Sequence, residues 1–470
     1  MSYSKSDIPD FLGSVGAQIS DAEQRIDTEI TEPTVFQPTF LRYVITGGGI
    51  LNPKSRITFG LEDPNKESFL PLGVGIGALI QRVSFKIGGK TVCEVDDWAH
   101  YHYYKTLFTD QQVTKEREQY LSGRAISNAV VYDNGTNNSK SIGLDLGREF
   151  TTNASTTLTD MNLQGFQDLR QTPVFSLTLD DLVPALRGVS LGLFMLTEQV
   201  VLEITLHNTI GKRAYLRVGE LASKDIEFKL DQNECRMISD HTFLDGDGMN
   251  AYAKANSNLQ FTFLEPRLTK TTLANEAAWT NQVRNVGGAG KRVPKMFVML
   301  TSDKMGKNAS LAKTTGYNQM TLLNDYRAIA PYSSTESAGT YAKLTSNIKK
   351  NDEFIFPIDR SNSALHYHGV QQTEGAVPHI TRSMYARQGH SLADNKFESY
   401  VISKSDELDG QFFVQAYRMP DGARVDSRGL EVNYQYSALN ADEAPFTQRV
   451  YIEIEKRVSI INGVTDTQFE

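Results

Sequence analysis

The sequence predicts an all-β chain built of two tandem β-modules of the sandwich or jelly-roll kind, with short helices and long decorated loops. Three observations predict it. Short runs rich in Val, Ile, Phe and Thr recur from Phe36 to the C-terminus, bounded by Gly, Pro and Asn. No long helical periodicity interrupts them. Two segments of the first half also find echoes in the second. The 470 residues are too many for one ordinary sandwich and suit two domains. The expected division is an N-terminal arm over residues 1–35, a first module over 36–212 and a second over 213–470.

The arm is polar and carries apolar residues at Ile8, Phe11, Leu12, Val15 and Ile19, close to one helical stripe. Its composition does not suit a sheet. Strand sequence begins with Phe40–Ile45, the glycines Gly47, Gly48 and Gly49, and Arg56–Phe59. Ile80–Val95 reads as a hairpin: Val83, Phe85 and Ile87 alternate, Gly88-Gly89 turns, and Val92 and Val95 return. Asp97–Phe108, rich in Tyr and His, reads as a short helix capped by Asp96 or Asp97, and Thr109–Leu121 as another. Gly123–Gln171 is a polar Asn/Thr/Ser/Gly stretch, expected to be exposed decoration. Strands resume at Val174–Leu179, Val189–Met195 and Gln199–Leu206.

The second half reads in the same style. Strands are expected at Ile226–Leu230, Leu259–Leu264 and Met296–Leu300, then a polar loop stretch over Ser302–Lys350. Phe354–Ile358, Phe412–Tyr417, Leu430–Tyr436 and Val450–Ile461 follow as strands. Two echoes suggest duplication. Thr197-Glu198-Gln199-Val200-Val201-Leu202-Glu203-Ile204 aligns with Thr447-Gln448-Arg449-Val450-Tyr451-Ile452-Glu453-Ile454. Val174–Asp180 aligns with Glu353–Asp359, at a different offset, so the second half would hold extra sequence between its matched strands.

Charge and cysteines exclude several classes. The 48 basic and 56 acidic residues give a net charge of −8 with no basic block, so direct nucleic-acid binding is not expected. The arm sets Asp7, Asp10, Asp21, Glu23, Asp27, Glu29 and Glu32 against Lys5 and Arg25, which disfavours DNA and anionic lipid and favours docking on protein. The two cysteines, Cys93 and Cys235, read as free thiols of a reducing compartment. No basic and apolar leader opens the sequence, and no apolar run is long enough to span a bilayer; the expectation is a soluble protein made in the cell interior.

Each chemical motif in the sequence has a plainer reading. Gly73, Gly75 and Gly77 partly match a dinucleotide loop, but no βαβ unit follows, so a turn before a strand is expected. His366 and His368 would share a face if they lay in a strand, yet no acidic or Cys partner stands near. His100 and His102 diverge on a helix and read as packing. Asp245-Gly246-Asp247-Gly248 lacks the acidic twelfth ligand of a calcium loop, where Asn256 stands, and reads as a tight acidic turn. The Asn-x-Ser/Thr triplets at Asn134, Asn137, Asn153 and Asn308 have no secretory context. No catalytic, cofactor-binding or metal-ligating residue is therefore nominated.

With the strands in place, the chain resembles the double jelly-roll major capsid proteins, notably those of Polinton-like viruses and virophages. One segment carrying the likeness runs from Gly75 to Arg124: Gly75–Ile80, Val83–Val92 around Gly88-Gly89, Asp96-Asp97, the Tyr-rich helix, and Tyr120-Leu121-Ser122-Gly123-Arg124. The other runs from Phe175 through Asp180-Asp181-Leu182-Val183-Pro184-Ala185-Leu186 to Glu203-Ile204-Thr205-Leu206. The resemblance implies two upright jelly rolls side by side, three subunits in a pseudo-hexagonal capsomer, and a virion shell shared with neighbouring capsomers, penton and minor capsid proteins. It implies no catalysis and no cofactor, and leaves an inner membrane open. The rival reading is a jelly-roll carbohydrate-binding protein or glycan-processing enzyme, which would show clustered Trp and paired carboxylates. Only Trp98 and Trp279 occur, in sequence that reads as helix or loop.

Overall fold

A computed structural model describes residues 25–62, 75–106, 121–122, 130–132, 139–141, 174–207, 217–218, 229–272, 278–283, 286–302, 317–318, 334–335, 340–341, 343–350, 353–358, 363–375, 414–419, 424–425, 430–437 and 446–470. The first module opens with β1 (Arg25–Thr31), β2 (Val35–Gln37), β3 (Phe40–Ile45), β4 (Ile50–Leu51), β5 (Arg56–Glu62), β6 (Ile80–Ile87) and β7 (Lys90–Asp96). Helix α1 (Trp98–Thr106) follows, then β8 (Val174–Thr178), β9 (Leu191–Gly192), β10 (Val200–Leu206), β11 (Lys229–Asp231) and β12 (Met237–Phe243). One sheet has the order β8-β5-β12-β4-β9, with β1 on β12 and β11 on β5; the other has the order β2-β3-β10-β6-β7.

Helix α2 (Gly246–Ala255) leads into the second module. Its elements are β13 (Asn258–Thr272), β14 (Ala278–Val283), β15 (Lys295–Ser302), β16 (Lys343–Lys350), β17 (Glu353–Ile358), α3 (Ser363–Glu374), β18 (Val414–Arg418), β19 (Leu430–Ser437), β20 (Phe446–Ile461) and β21 (Val464–Phe469). One sheet runs β13-β20-β15-β18, with β21 also on β20; the other runs β14-β19-β16-β17. Every one of these pairings is antiparallel. The expected all-β pair of modules is the observed architecture.

Alternation builds the cores. In β3 the side chains of Leu41, Tyr43 and Ile45 point inward and are buried; in β6 Val83, Phe85 and Ile87 do the same, as do Leu202 and Ile204 of β10. The β6–β7 hairpin turns on Gly88 and Gly89 at φ 60° and 79°. Such a pair of positive φ values is what a tight primed turn needs, which is why Gly-Gly stands there. Gly75–Leu79 forms a turn of 3-10 helix leading into β6, in place of a nucleotide loop.

Several expectations need correction. The boundary at 212/213 cuts the first module: β11 and β12 lie beyond it, yet they hydrogen-bond β4 and β5. The arm of residues 1–35 is also too long, because β1 pairs along β12 from Arg25↔Phe243 to Thr31↔Met237. Its polar composition hid it because this strand has a largely exposed pattern. Val189–Met195 shrinks to β9 and a 3-10 turn. The polar stretch Ser302–Lys350 contains β16, an interior strand between β19 and β17. His366 and His368 lie in α3, not a strand, and Trp279 lies in β14, not a helix or loop. Asp245 is a helix cap, not a free turn: its carboxylate accepts the Gly248 N–H at 2.6 Å. Thr109–Tyr120, nearly all of Gly123–Gln171 and the four Asn-x-Ser/Thr sites fall outside the described residues.

The first echo is structural. β10 sits between β3 and β6, and β20 sits between β13 and β15. The second echo is not: β8 pairs with β5, and its counterpart is β19, which pairs with β14, whereas β17 among the described residues pairs only with β16.

Candidate functional site at the seam between the modules

The two modules meet along a buried polar seam, and the echo shows how the sequence builds it. In β10, Val200, Leu202 and Ile204 fill the core of the first module while Glu203 faces outward, 2.6 Å from Lys86 Nζ and 3.9 Å from Arg42 Nε. In β20, Val450, Ile452 and Ile454 fill the second core, but the opposite face is buried too: Arg449, Tyr451 and Glu453 are 4%, 0% and 1% exposed. That face is covered by α1 of the first module.

The contacts are specific. Arg449 Nε donates to Asp97 Oδ2 at 2.7 Å, and the Tyr451 hydroxyl donates to the Asp97 carbonyl at 3.0 Å. Asp97 immediately precedes α1, with φ 48°, and its other oxygen lies 2.6 Å from His100 Nδ1. Tyr101 donates its hydroxyl to Glu453 Oε1 at 2.9 Å, and Lys105 Nζ lies 2.7 Å from the same oxygen. Glu374, at the end of α3, accepts from Tyr104, Lys105 and Lys295 at 2.8, 3.1 and 3.0 Å. Tyr104 stacks on Phe297 at 3.8 Å between centroids, and Phe297 on Tyr451 at 4.9 Å.

These surroundings set the protonation states. Burial would raise the Asp97 carboxyl, but the His100 and Arg449 charges and hydrogen bonds outweigh it and hold Asp97 well below the usual carboxylate range. Burial likewise opposes ionisation of Glu374, and Lys105 and Lys295 overcome it and lower it. Tyr101 is pushed up, first by burial and then by the Glu453 charge. The seam therefore favours ionised carboxylates at Asp97 and Glu374 and a neutral phenol at Tyr101.

A second contact joins two sheet edges without merging them. β7 and β13 face one another across the seam, yet side chains bridge them in place of a ladder. Glu265, fully buried, accepts the Glu94 backbone N–H at 3.1 Å; Lys456 donates to the Thr91 carbonyl at 3.3 Å and lies 3.1 Å from Glu265. Edge groups that would otherwise be open are satisfied. A third contact hooks the β20–β21 turn onto the first module: the Gly463 carbonyl accepts from the Thr197 N–H at 3.2 Å and hydroxyl at 3.1 Å. Gly463 has φ 80°, and a Cβ there would stand 2.6 Å from the Met195 carbonyl oxygen.

Among the described residues no group of three or more His, Cys, Asp or Glu is placed to hold a metal ion. Of the two histidines of α1, His102 stacks on Trp98 at 4.3 Å, whereas His100, read from the sequence as packing, pairs with Asp97. Trp98 is fully buried and donates to the Leu182 carbonyl. Cys93 and Cys235 are free and buried; burial, then the Glu265 charge, pushes the Cys93 thiol up to about 12. The seam residues were missed in the sequence because a polar residue between core positions of a strand reads as solvent-facing. In the sequence Arg449, Tyr451 and Glu453 simply alternate with Val450, Ile452 and Ile454, the pattern of a strand with one wet face.

No family model matches the chain, and no curated protein matches it in sequence. Solved structures do match in fold. VP54 of PBCV-1, fitted into a reconstruction of the virophage Sputnik, is 11% identical with a TM-score of 0.54, over 96% of this chain and 97% of that one. The PBCV-1 virus capsid gives 0.55 at 11% identity, over 96% and 97%. The Sputnik virophage structure gives 0.53 at 11% identity, over 96% and 89%. The two β-modules and their likeness over nearly the whole length show that the chain has the double jelly-roll fold of viral capsid proteins.

Proposed function

We propose that the protein is the major capsid protein of an icosahedral double-stranded DNA virus, related to those of virophages and Polinton-like viruses. The observation that carries the reading is the seam. Two jelly rolls joined by buried ion pairs, stacked rings and a hooked turn behave as one rigid block, and a shell needs such a block. Three blocks side by side present six similar modules, which gives a pseudo-hexagonal capsomer with closed three-fold symmetry. Its partners are then further copies of itself, neighbouring capsomers, and penton and minor capsid proteins, in the virion after synthesis inside the host cell. Direct nucleic-acid binding is not part of the proposal, since the net charge is −8. Catalysis is not part of it either. The glycan-binding rival loses support because Trp98, buried and hydrogen-bonded, offers no face to a sugar.

Electron microscopy of the purified protein, with light scattering on a gel-filtration column, tests this reading. Pseudo-hexagonal particles with about three times the 52.4 kDa chain mass are expected. A monomer that persists across micromolar concentrations would overturn it.

A further inference from the structure

One end of the molecule is tied together from three segments. At the tip of the β20–β21 hairpin the Asn462 N–H donates to the Ser257 carbonyl just beyond α2, while Gly463 holds Thr197. The turn after β9 meets α2, where the Phe194 ring lies 5.9 Å from Tyr252. Around buried Ile50 and Tyr252 pack the half-buried side chains of Phe194, Met195, Leu244 and Met249. Beside them stand Ile461 and Val464, a cross-strand pair that is 48% and 49% exposed. A surface so apolar and rich in Met marks a contact site.

The chain itself supplies a cover. β1 starts at this end: Arg25 is paired with Phe243 and lies over its ring at 5.2 Å, next to Leu244 in sequence. Arg25, the first described residue, therefore stands beside the patch, and residues 1–24 precede it in the sequence. They carry Ile8, Phe11, Leu12, Val15 and Ile19, an apolar stripe that is too small to be stable alone. The link from Ile19 to Arg25 reaches at most about 20 Å. That tether keeps the stripe near the patch at an effective concentration of roughly millimolar.

We propose that residues 1–24 of each chain cover the apolar end patch of the same chain, with the stripe turned onto Phe194, Met195, Leu244, Met249, Ile461 and Val464. This does not rest on the capsid reading. Its test reads a local contact, whereas that reading stands or falls on particle shape and mass.

Hydrogen exchange followed by mass spectrometry tests it on the full chain. In the variant Phe11→Asp with Leu12→Asp, peptides spanning residues 193–198, 246–256 and 459–466 are expected to exchange about tenfold faster, with β6 and β10 unchanged. Equal exchange in the three peptides overturns the proposal. A second variant joins Leu12→Cys with Met249→Cys, the native thiols of Cys93 and Cys235 being buried. Oxidation is expected to give a disulfide within one chain. A disulfide between chains would assign the patch to a neighbouring copy's arm, and no disulfide would leave the patch to some other partner; either result overturns the proposal.

Discussion

Arg449→Met puts the seam to its most direct test. The Arg449 and Asp97 side chains are only 4% and 11% exposed, so the variant leaves the Asp97 carboxylate in a site made for a counter-charge. Removing one partner of a buried pair costs about 3–5 kcal/mol, chiefly through the charge left behind. Unfolding entropy is about 2.1 cal/mol/K per residue, or roughly 1 kcal/mol/K for 470 residues unfolding together. The melting temperature should therefore fall by about 3–5 °C, compared at one scan rate because large proteins often unfold irreversibly. Lys86→Met is the control. It breaks the outward pair to Glu203, where the side chains are 30% and 19% exposed, and should cost about 1 kcal/mol or less. The double variant Asp97→Asn with Arg449→Met removes the orphaned charge and should recover part of the loss. If Arg449→Met melts no lower than Lys86→Met, or if the double variant loses the sum of its two single losses, the seam is not held by this pair.

Two further outcomes follow from the same geometry. Asp97 and Glu374 are both depressed, so the unfolded chain binds more protons in acid; their contribution is complete above about pH 5 and is lost as pH falls below about 4. In Arg449→Met the Asp97 carboxyl rises toward or past its unfolded value, so its share of the acid loss should shrink, and identical acid slopes in melting temperature for the two proteins would contradict this. Gly463→Ala should cost more than Gly89→Ala: both have φ near 80°, but a Cβ at Gly463 meets the Met195 carbonyl and the Thr197 nitrogen, whereas Gly89 faces open space. Equal melting temperatures for the two variants would remove the hook from the account.

Alternation and turn chemistry made most of the fold legible. The β6–β7 hairpin was readable because Val83, Phe85 and Ile87 must point one way and Gly88-Gly89 must turn with positive φ. What failed was polar sequence that is nonetheless strand. β1 reads Arg-Ile-Asp-Thr-Glu-Ile-Thr because it covers one edge of β12 and leaves many of its side chains exposed. β16 reads Lys-Leu-Thr-Ser-Asn-Ile-Lys-Lys, and pairing by its neighbours on both sides, not side-chain pattern, makes it a strand. The boundary at 212/213 failed for a different reason. The first sheet is completed by β12, a strand that arrives after Val200–Leu206, the first copy of the first echo, has suggested that the module is over, and local sequence does not record which sheet a strand returns to.

The seam was the least legible part, and the reason is physical. A duplicated strand keeps the residues its own core requires, so Val200, Leu202 and Ile204 reappear as Val450, Ile452 and Ile454. The other face is free to answer to its surroundings. Glu203 and Glu453 occupy the same place in the two echoes, and in both an ammonium group pairs with the carboxylate. In β10 that pair is half in water and its partners come from neighbouring strands of the same sheet. In β20 the pair is buried and its partners, Lys105 and Tyr101, come from the other module. An identical glutamate is thus a surface residue in one module and a joint in the other. Burial decides between those roles, and burial is set by the helix that packs on the strand, not by the strand itself. That helix, Trp98–Thr106, was read correctly as a helix, yet its aromatic side chains gave no hint of which module they would cover. The two modules became one body when Tyr101, Tyr104 and Lys105 found Glu453, Phe297 and Glu374, contacts separated by hundreds of residues in the chain.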